Sequence, residues 1–273
     1  MSSSRPQNSP SNEPPTGFDL GRVRDELELS HLFFVDQRDS TNDWALELAR
    51  TTGEMDRALF LTRIQTAGRG RGTNRWLAGP GSLTFSLLIP NRCAVGDRQS
   101  CLLPLAVGCG VSEALARWSP EIAVKIKWPN DLYWRDRKLG GVLVESVEHP
   151  ARQLVIGCGI NVNNELGNPE LENAISLAET TTGNIDLTEV LIAAAGGILE
   201  WVGAVAARPH DVVEQLRALD WLKNRRVKWE QGDDCQQGVA MGIADDGGLY
   251  LESTGQMTVI YSGSITPLEG QSG

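Results

Sequence analysis

The chain has no C-x-x-C pair, and its five cysteines (Cys93, Cys101, Cys109, Cys158 and Cys235) are odd in number and scattered. That fits a disulfide framework poorly and suits reduced thiols in a cytoplasmic protein. Its three histidines, His31, His149 and His210, show neither metal spacing nor a nucleophile elbow, so nothing supports zinc or triad chemistry. No G-x-x-x-x-G-K-[ST] occurs, which excludes a P-loop. Basic residues are in the minority, 25 Lys and Arg against 35 Asp and Glu for a net charge of −10, the wrong balance for a general nucleic-acid binder. The N-terminus lacks the charged-then-apolar layout of a secretory signal. A membrane span needs roughly 20 mostly apolar residues. The nearest candidate, Val190 to Ala207, is interrupted by Glu200, and Gly196, Gly197 and Gly203 lower its helix preference, so it reads as a buried helix.

What is present is ordinary globular composition, 41% apolar and 22% charged over 273 residues, enough for one large domain with a small module. Residues 1–17, rich in Ser, Pro and Asn, read as a disordered tail. One helix is expected around Arg22 to Leu29, and Ser40-Thr41-Asn42-Asp43 reads as a capped helix start. Ala58 to Gln65 and Ser82 to Ile89 read as strands, Leu102 to Trp118 as a helix, and Ile122 to Lys127 as a strand with two lysines on one face. Val142 to Val147 and Leu154 to Ile160 are further strands, and Leu187 to Ala207 a long helix. After Trp221 come four short strand-like runs, 226–230, 238–243, 249–252 and 257–261, separated by Gly/Asp turns. Strands so spaced with no helix between them suggest a small β-barrel. The division expected is therefore a main domain over 18–220 and a β-rich domain over 221–268.

The sharpest local anomaly is Gln65-Thr-Ala-Gly-Arg-Gly-Arg-Gly-Thr-Asn-Arg-Trp76. From Arg63 to Trp76 there are four arginines and no acid, in a chain that is acidic overall. Alternate glycines bare the backbone N–H groups, and guanidinium forks suit carboxylate or phosphate oxygens, so the pattern favours an anion site over a solvated turn. A second feature is Lys125-Ile-Lys127-Trp-Pro-Asn-Asp131, followed by Lys138-Leu-Gly140-Gly141. A β-hairpin with solvent-facing lysines would explain it, but the paired glycines let a ligand come close to the backbone. Gly157-Cys-Gly159-Ile-Asn161 is a third glycine-bearing strand end, weak alone. Ser40, Thr41 and Asn42 are by themselves better read as a helix cap.

Taken in order, Asp39-Ser-Thr-Asn42, Gln65-x-x-Gly-Arg-Gly-Arg-Gly-x-Asn-x-Trp76, Lys127-Trp-Pro-Asn-Asp131, Lys138-Leu-Gly-Gly141 and Gly157-x-Gly-Ile-Asn161 resemble the biotin–protein ligases (biotin–[acetyl-CoA-carboxylase] ligases or holocarboxylase synthetases) over roughly residues 36–165. Asn74 stands where many bacterial members carry a third arginine, and Arg75 lies one place later. The resemblance implies an α+β fold, a mixed β-sheet flanked by helices of the class II synthetase-like biotin/lipoate ligase type, with a small C-terminal SH3-like β-barrel. It implies biotin and ATP as substrates, Mg²⁺ as helper, a biotinyl-5′-AMP intermediate, and transfer to a lysine of the biotin carboxyl carrier domain of acetyl-CoA carboxylase or a related carboxylase. By the same match Lys138, Arg69 and Arg71 are catalytic. Ser40, Thr41, Asn42, Gln65, Arg69, Gly70, Arg71, Lys138, Gly141 and Gly157 bind biotin. Arg71, Trp76, Lys127, Asn130, Asp131 and Asn161 bind nucleotide, and no residue is assigned to a metal.

Some family members also repress transcription through an N-terminal helix-turn-helix. Fewer than twenty residues separate the expected tail from Asp36 here, so a monofunctional ligase without DNA binding or membrane attachment is expected, as a monomer or homodimer. The rival readings are a lipoate– or octanoate–protein ligase of the same fold and a non-catalytic biotin sensor.

Overall fold

The computed structural model describes residues 17–91, 101–180 and 183–268. Residues 1–16 of the expected tail and Cys93 lie outside them. The chain opens with a short helix, α1 (Leu20–Glu26), capped by Asp19, whose carboxylate accepts from Arg22 N at 3.0 Å. It ends before Leu29, the expected limit.

The main sheet has seven strands, β1 (His31–Arg38), β2 (Ala58–Gln65), β3 (Ser82–Pro90), β4 (Lys125–Lys127), β5 (Asp131–Trp134), β6 (Arg137–Val147) and β7 (Gln153–Asn161). Their order is β1-β2-β3-β7-β6-β5-β4, and only β1–β2 is a parallel pair. The mixed, helix-flanked sheet expected from the sequence is the fold observed.

Successive strand residues face opposite ways, so the registers divide the sheet into two surfaces. One carries Leu59, Leu61, Leu83, Phe85, Leu87, Ile156, Cys158 and Ile160, all buried in the main core with α3 (Leu102–Trp118) and α4 (Leu187–Ala207). Among the described residues α4 is the one helix long and apolar enough to cross a membrane, yet half of that window is buried within the protein. Gly197 marks its crossing with α3: a Cβ there would lie 2.3 Å from the Gly110 carbonyl oxygen, and one at Gly110 equally close to that of Gly197. The glycine that the sequence suggests only weakens the helix thus permits backbone-to-backbone packing.

The opposite surface is divided along its length. At one end α2 (Thr41–Thr51) lays Ala45, Leu46 and Ala49 over Ala58, Phe60, Leu88, Val147 and Val155. At the other end Thr84 lies beside Gly159 and Ser86 beside Gly157, with Leu143 next to Gly157 on β6, and α2 meets this end through its first residues, Thr41 and Asn42.

After α4, an unanticipated helix α5 (Pro209–Leu219) leads to a five-stranded antiparallel sheet, β8 (Arg226–Gln231), β9 (Asp234–Ile243), β10 (Leu249–Ser253), β11 (Gln256–Ile260) and β12 (Ser264–Pro267), ordered β11-β10-β9-β8-β12. This is the C-terminal β module expected, with β12 added. Its apolar residues Val227, Ala240, Leu249 and Leu251 belong to the same buried cluster as α3 and α4, and the Trp128 indole donates to the Gly247 carbonyl at 3.0 Å. The two sheets are therefore packed together rather than tethered.

Other departures are local. β1 and β5 were not expected, and β6 begins at Arg137, so Lys138 to Gly141 is strand rather than approach to one. β4 covers only Lys125–Lys127, while Ile122 and Val124 are buried without strand pairing.

Candidate active site

This end of the sheet is the floor of a cavity of about 580 Å³. Two glycines make the floor. A Cβ at Gly157 would stand 2.2 Å from Asn42 Oδ1, and one at Gly159 would stand 2.4 Å from the Trp76 indole. Asn42 and Trp76 therefore lie directly on the β7 backbone.

The wall beside α2 is neutral and polar. Ser40 caps the helix, its hydroxyl accepting from Asp43 N at 3.3 Å, so the cap reading holds while the same residue lines the cavity. Gln65 Oε1 accepts from Thr41 N at 2.7 Å and lies 3.0 Å from the Thr41 hydroxyl. Ser86 Oγ lies 2.8 Å from Thr41 Oγ1 and 2.6 Å from Asn42 Oδ1. Ser40, Thr41, Asn42, Gln65 and Ser86 are all buried.

The Gly/Arg segment forms the roof as a tight turn, with Gly70 N donating to Asn74 O and Trp76 N to Gly68 O, each at 2.9 Å. Its arginines have different environments. Arg69 is clasped by two carboxylates, with Nε 2.9 Å from Asp43 Oδ1 and Nη2 donating to Glu145 Oε2 at 2.6 Å. Burial works against its charge, but Glu145 and Asp43 outweigh that and hold the guanidinium above the usual arginine range. Arg71 reaches across the cavity and donates to the Gly263 carbonyl at 3.0 Å. Among the described residues no carboxylate pairs with Arg71, Arg75 or Lys127. Trp76 donates to Thr84 Oγ1 at 3.2 Å.

The far wall is the β4–β5–β6 hairpin. Lys138 Nζ lies 2.6 Å from Asp131 Oδ1. Asn130 fastens the turn to β6, its amide donating to Val142 O at 2.8 Å while its own carbonyl accepts from Val142 N. Burial pulls the Lys127 ammonium below the ordinary lysine range; the neighbouring Lys138 charge adds to this and Asp131 opposes it. Positive charge thus collects at one end of the cavity and neutral polar groups at the other.

Every residue assigned above to biotin or nucleotide lines this cavity except Asn161; of the paired glycines Gly141 lines it, while Gly140 packs against the Gly159 carbonyl. Asn161 is buried at the end of β7, where its side-chain oxygen accepts from Asn164 Nδ2 at 3.0 Å. A second cavity, about 610 Å³, adjoins the first across Gln65, Arg75 and Trp76 and runs to Asn163 and Asn164. Sequence reasoning missed Glu145, Thr84 and Ser86, although the last two are the polar positions of an alternating strand. It also missed the C-terminal turns: Glu230 to Gly232 and Ser262 to Ile265 complete the rim. Among the described residues no group of three or more His, Cys, Asp or Glu side chains could hold a metal ion by itself.

A model of the biotin/lipoate A/B protein ligase family matches residues 34–161, the segment carrying the floor, roof and far wall. The chain is 33% identical over 236 residues to the bifunctional ligase/repressor BirA of Escherichia coli, covering 84% of this chain and 71% of that protein. It is 30% identical over 242 residues to the biotin–[acetyl-CoA-carboxylase] ligase of Mycobacterium tuberculosis, covering 86% and 88%. The structure of the Aquifex aeolicus biotin protein ligase in complex with biotin and ATP is similar, with a TM-score of 0.74 and 28% identity over 89% of this chain and all of that one. The chain belongs to the biotin/lipoate A/B protein ligase family.

Proposed function

We propose that this chain condenses biotin with ATP to biotinyl-5′-AMP and pyrophosphate, then transfers the biotinyl group to a lysine of a biotin carboxyl carrier domain, releasing AMP. The observation that carries this reading is the division of one cavity into a neutral polar end and a cationic end above a floor where Gly157 and Gly159 let Asn42 and Trp76 lie against the backbone. A bicyclic urea is uncharged and needs neutral donors and acceptors, which Ser40, Thr41, Asn42 and Gln65 supply. The carboxylate of the same molecule must approach a triphosphate, and two anions meet only where fixed positive charge awaits them. Arg71, Lys127 and Lys138 supply it. Arg69, matched by two carboxylates, acts at the root of the roof rather than as free charge for substrate. Trp76 stands between the two adjoining cavities and walls the nucleotide.

Asp131 is the far-wall carboxylate suited to a magnesium ion carried by the triphosphate, whose charge such an ion would screen. The roof residues, once closed over the mixed anhydride, keep water from it. The anhydride is already a good acyl donor, so transfer needs chiefly a positioned amine. We place the division between the ligase domain and the C-terminal domain near residue 220, with the C-terminal turns completing the active-site rim. The test is pyrophosphate release from ATP with biotin or lipoate as the acid. Release dependent on biotin and indifferent to lipoate is expected; the reverse would make the chain a lipoate ligase.

A further inference from the structure

We propose that Glu145 is the positioning residue of the acid-binding end of the cavity: its carboxylate holds the Asn42 amide and the Arg69 guanidinium in one arrangement and so sets the polarity of the floor. The inference rests on the biotin reading above and adds to it a residue that does not line the cavity.

Glu145 sits on β6 two positions after Leu143, on the surface that faces α2. One of its oxygens, Oε2, accepts from Asn42 Nδ2 at 2.8 Å and from Arg69 Nη2 at 2.6 Å. The same Asn42 nitrogen lies 3.4 Å from the Leu143 carbonyl oxygen. A carboxylate and a carbonyl only accept, so they fix which end of the amide is nitrogen. The oxygen end must then face Ser86.

This orientation dictates the protons beyond it. Asn42 Oδ1 has no hydrogen, so the Ser86 hydroxyl donates to it across 2.6 Å. The Thr41 hydroxyl donates to Gln65 Oε1 at 3.0 Å, beside the Thr41 backbone N–H at 2.7 Å, which leaves the Ser86 and Thr41 oxygens 2.8 Å apart with no proton between them. Glu145 thus commits the one Ser86 proton to Asn42 Oδ1. With Glu145 removed, the amide can turn over: Asn42 Nδ2 then donates to Ser86, Ser86 turns its own proton to Thr41 Oγ1, and the Asn42 group at the floor changes from acceptor to donor. A urea recognised by hydrogen bonds is rejected by a site of the wrong polarity, because buried polar groups are left unpaired. Exposed ion pairs contribute little, but this carboxylate is only 26% exposed and its amide partner is buried. The triphosphate end, beyond Trp76 and Lys138, is untouched.

The experiment measures initial rates of pyrophosphate release by the full chain, varying biotin and ATP in turn. For Glu145→Ala the KM for biotin rises about tenfold or more, while kcat and the KM for ATP stay within about threefold. Glu145→Gln, which keeps an oxygen acceptor for Asn42, recovers most of the biotin KM. A merely structural role would lower the active fraction and leave the biotin KM alone. Wild-type biotin KM in Glu145→Ala, or equal losses for both substrates in the Ala and Gln variants, would overturn the assignment. If Glu145→Ala does not fold, a double-mutant cycle of Glu145→Leu, which keeps the bulk and removes the acceptor, with Asn42→Ala decides, non-additive effects on the biotin KM being expected and additive ones contradicting. A wild-type chain without biotin-dependent turnover overturns the biotin reading itself, whereas an active wild type indifferent to Glu145 overturns only this proposal.

Discussion

The Lys138 ammonium and the Asp131 carboxylate face each other across the β5–β6 hairpin at 2.6 Å, on adjacent strands at the rim of the cavity. The pair is partly solvated, so its worth to folding is small. Its importance lies in holding an ammonium at the place where an anion must arrive. Lys138→Ala is expected to lower kcat/KM for adenylation by roughly a hundredfold or more, the scale of removing one preorganised donor to developing charge, with thermal stability little changed. Stopped-flow pyrophosphate release and a thermal melt on the same preparation check both halves.

The two arginines of the roof make a paired prediction. Arg71 faces the Gly263 carbonyl and, among the described residues, no carboxylate, whereas Arg69 is enclosed by Asp43 and Glu145. Arg71→Ala should reduce turnover about a hundredfold and leave the melting temperature within a few degrees. Arg69→Ala leaves two carboxylates facing each other and should raise the biotin KM and lower stability, on the order of 1–3 kcal/mol. Denaturant titration and steady-state kinetics of the two variants separate these effects; identical kinetic profiles would contradict the distinction.

Gly197 lies where α3 and α4 touch backbone to backbone. Gly197→Leu pushes the helices apart and is expected to cost about 3 kcal/mol or more, beyond the usual range for overpacking because the obstacle is main chain rather than a movable side chain. Urea unfolding at constant pH checks it, and Gly203→Leu, where nothing stands within 4 Å of a Cβ, should be nearly neutral.

Asp220, at the end of α5, has its carboxyl pushed up to about 6 by burial, against the pull of the Leu222 and Lys223 backbone donors and the Lys223 charge. Between the ordinary value near 4 and 6 the folded chain keeps a proton that the unfolded chain has released. Stability from this group is therefore greatest at low pH and declines as pH rises through 6. The loss is on the order of 3 kcal/mol, at about 1.4 kcal/mol per pKa unit. Asp220→Asn should abolish that slope, which urea midpoints measured from pH 4 to 7 will show.

Much of this architecture is legible in the chain because the determinants are local. Alternation in Ser82 to Ile89 and the mostly apolar segment Leu102 to Trp118 mark β3 and α3. β1 was not legible because Leu32 to Val35 is a four-residue apolar run without alternation, followed by polar residues. β12 is four residues long and ends in Pro267. α5 carries readable signals, Pro209 in the first turn and apolar residues at 212, 213 and 216. The basic loop and the glycine-bearing strands announced the cavity. Glu145 did not, since an acid on a strand reads as a solvated face until Asn42 and Arg69, 103 and 76 residues away, are brought to it. The C-terminal rim is hidden for the same reason: Arg71 and Gly263 are 192 residues apart.

The central claim is that one cavity joins biotin to AMP and hands it to a protein amine. The most direct measurement is intact-mass and peptide mass spectrometry of a carrier domain incubated with this chain, biotin, ATP and magnesium. One biotinyl group on one lysine, with AMP formed in equal amount, is predicted. An unmodified carrier beside active pyrophosphate release, or a carrier modified only when lipoate replaces biotin, would contradict the account.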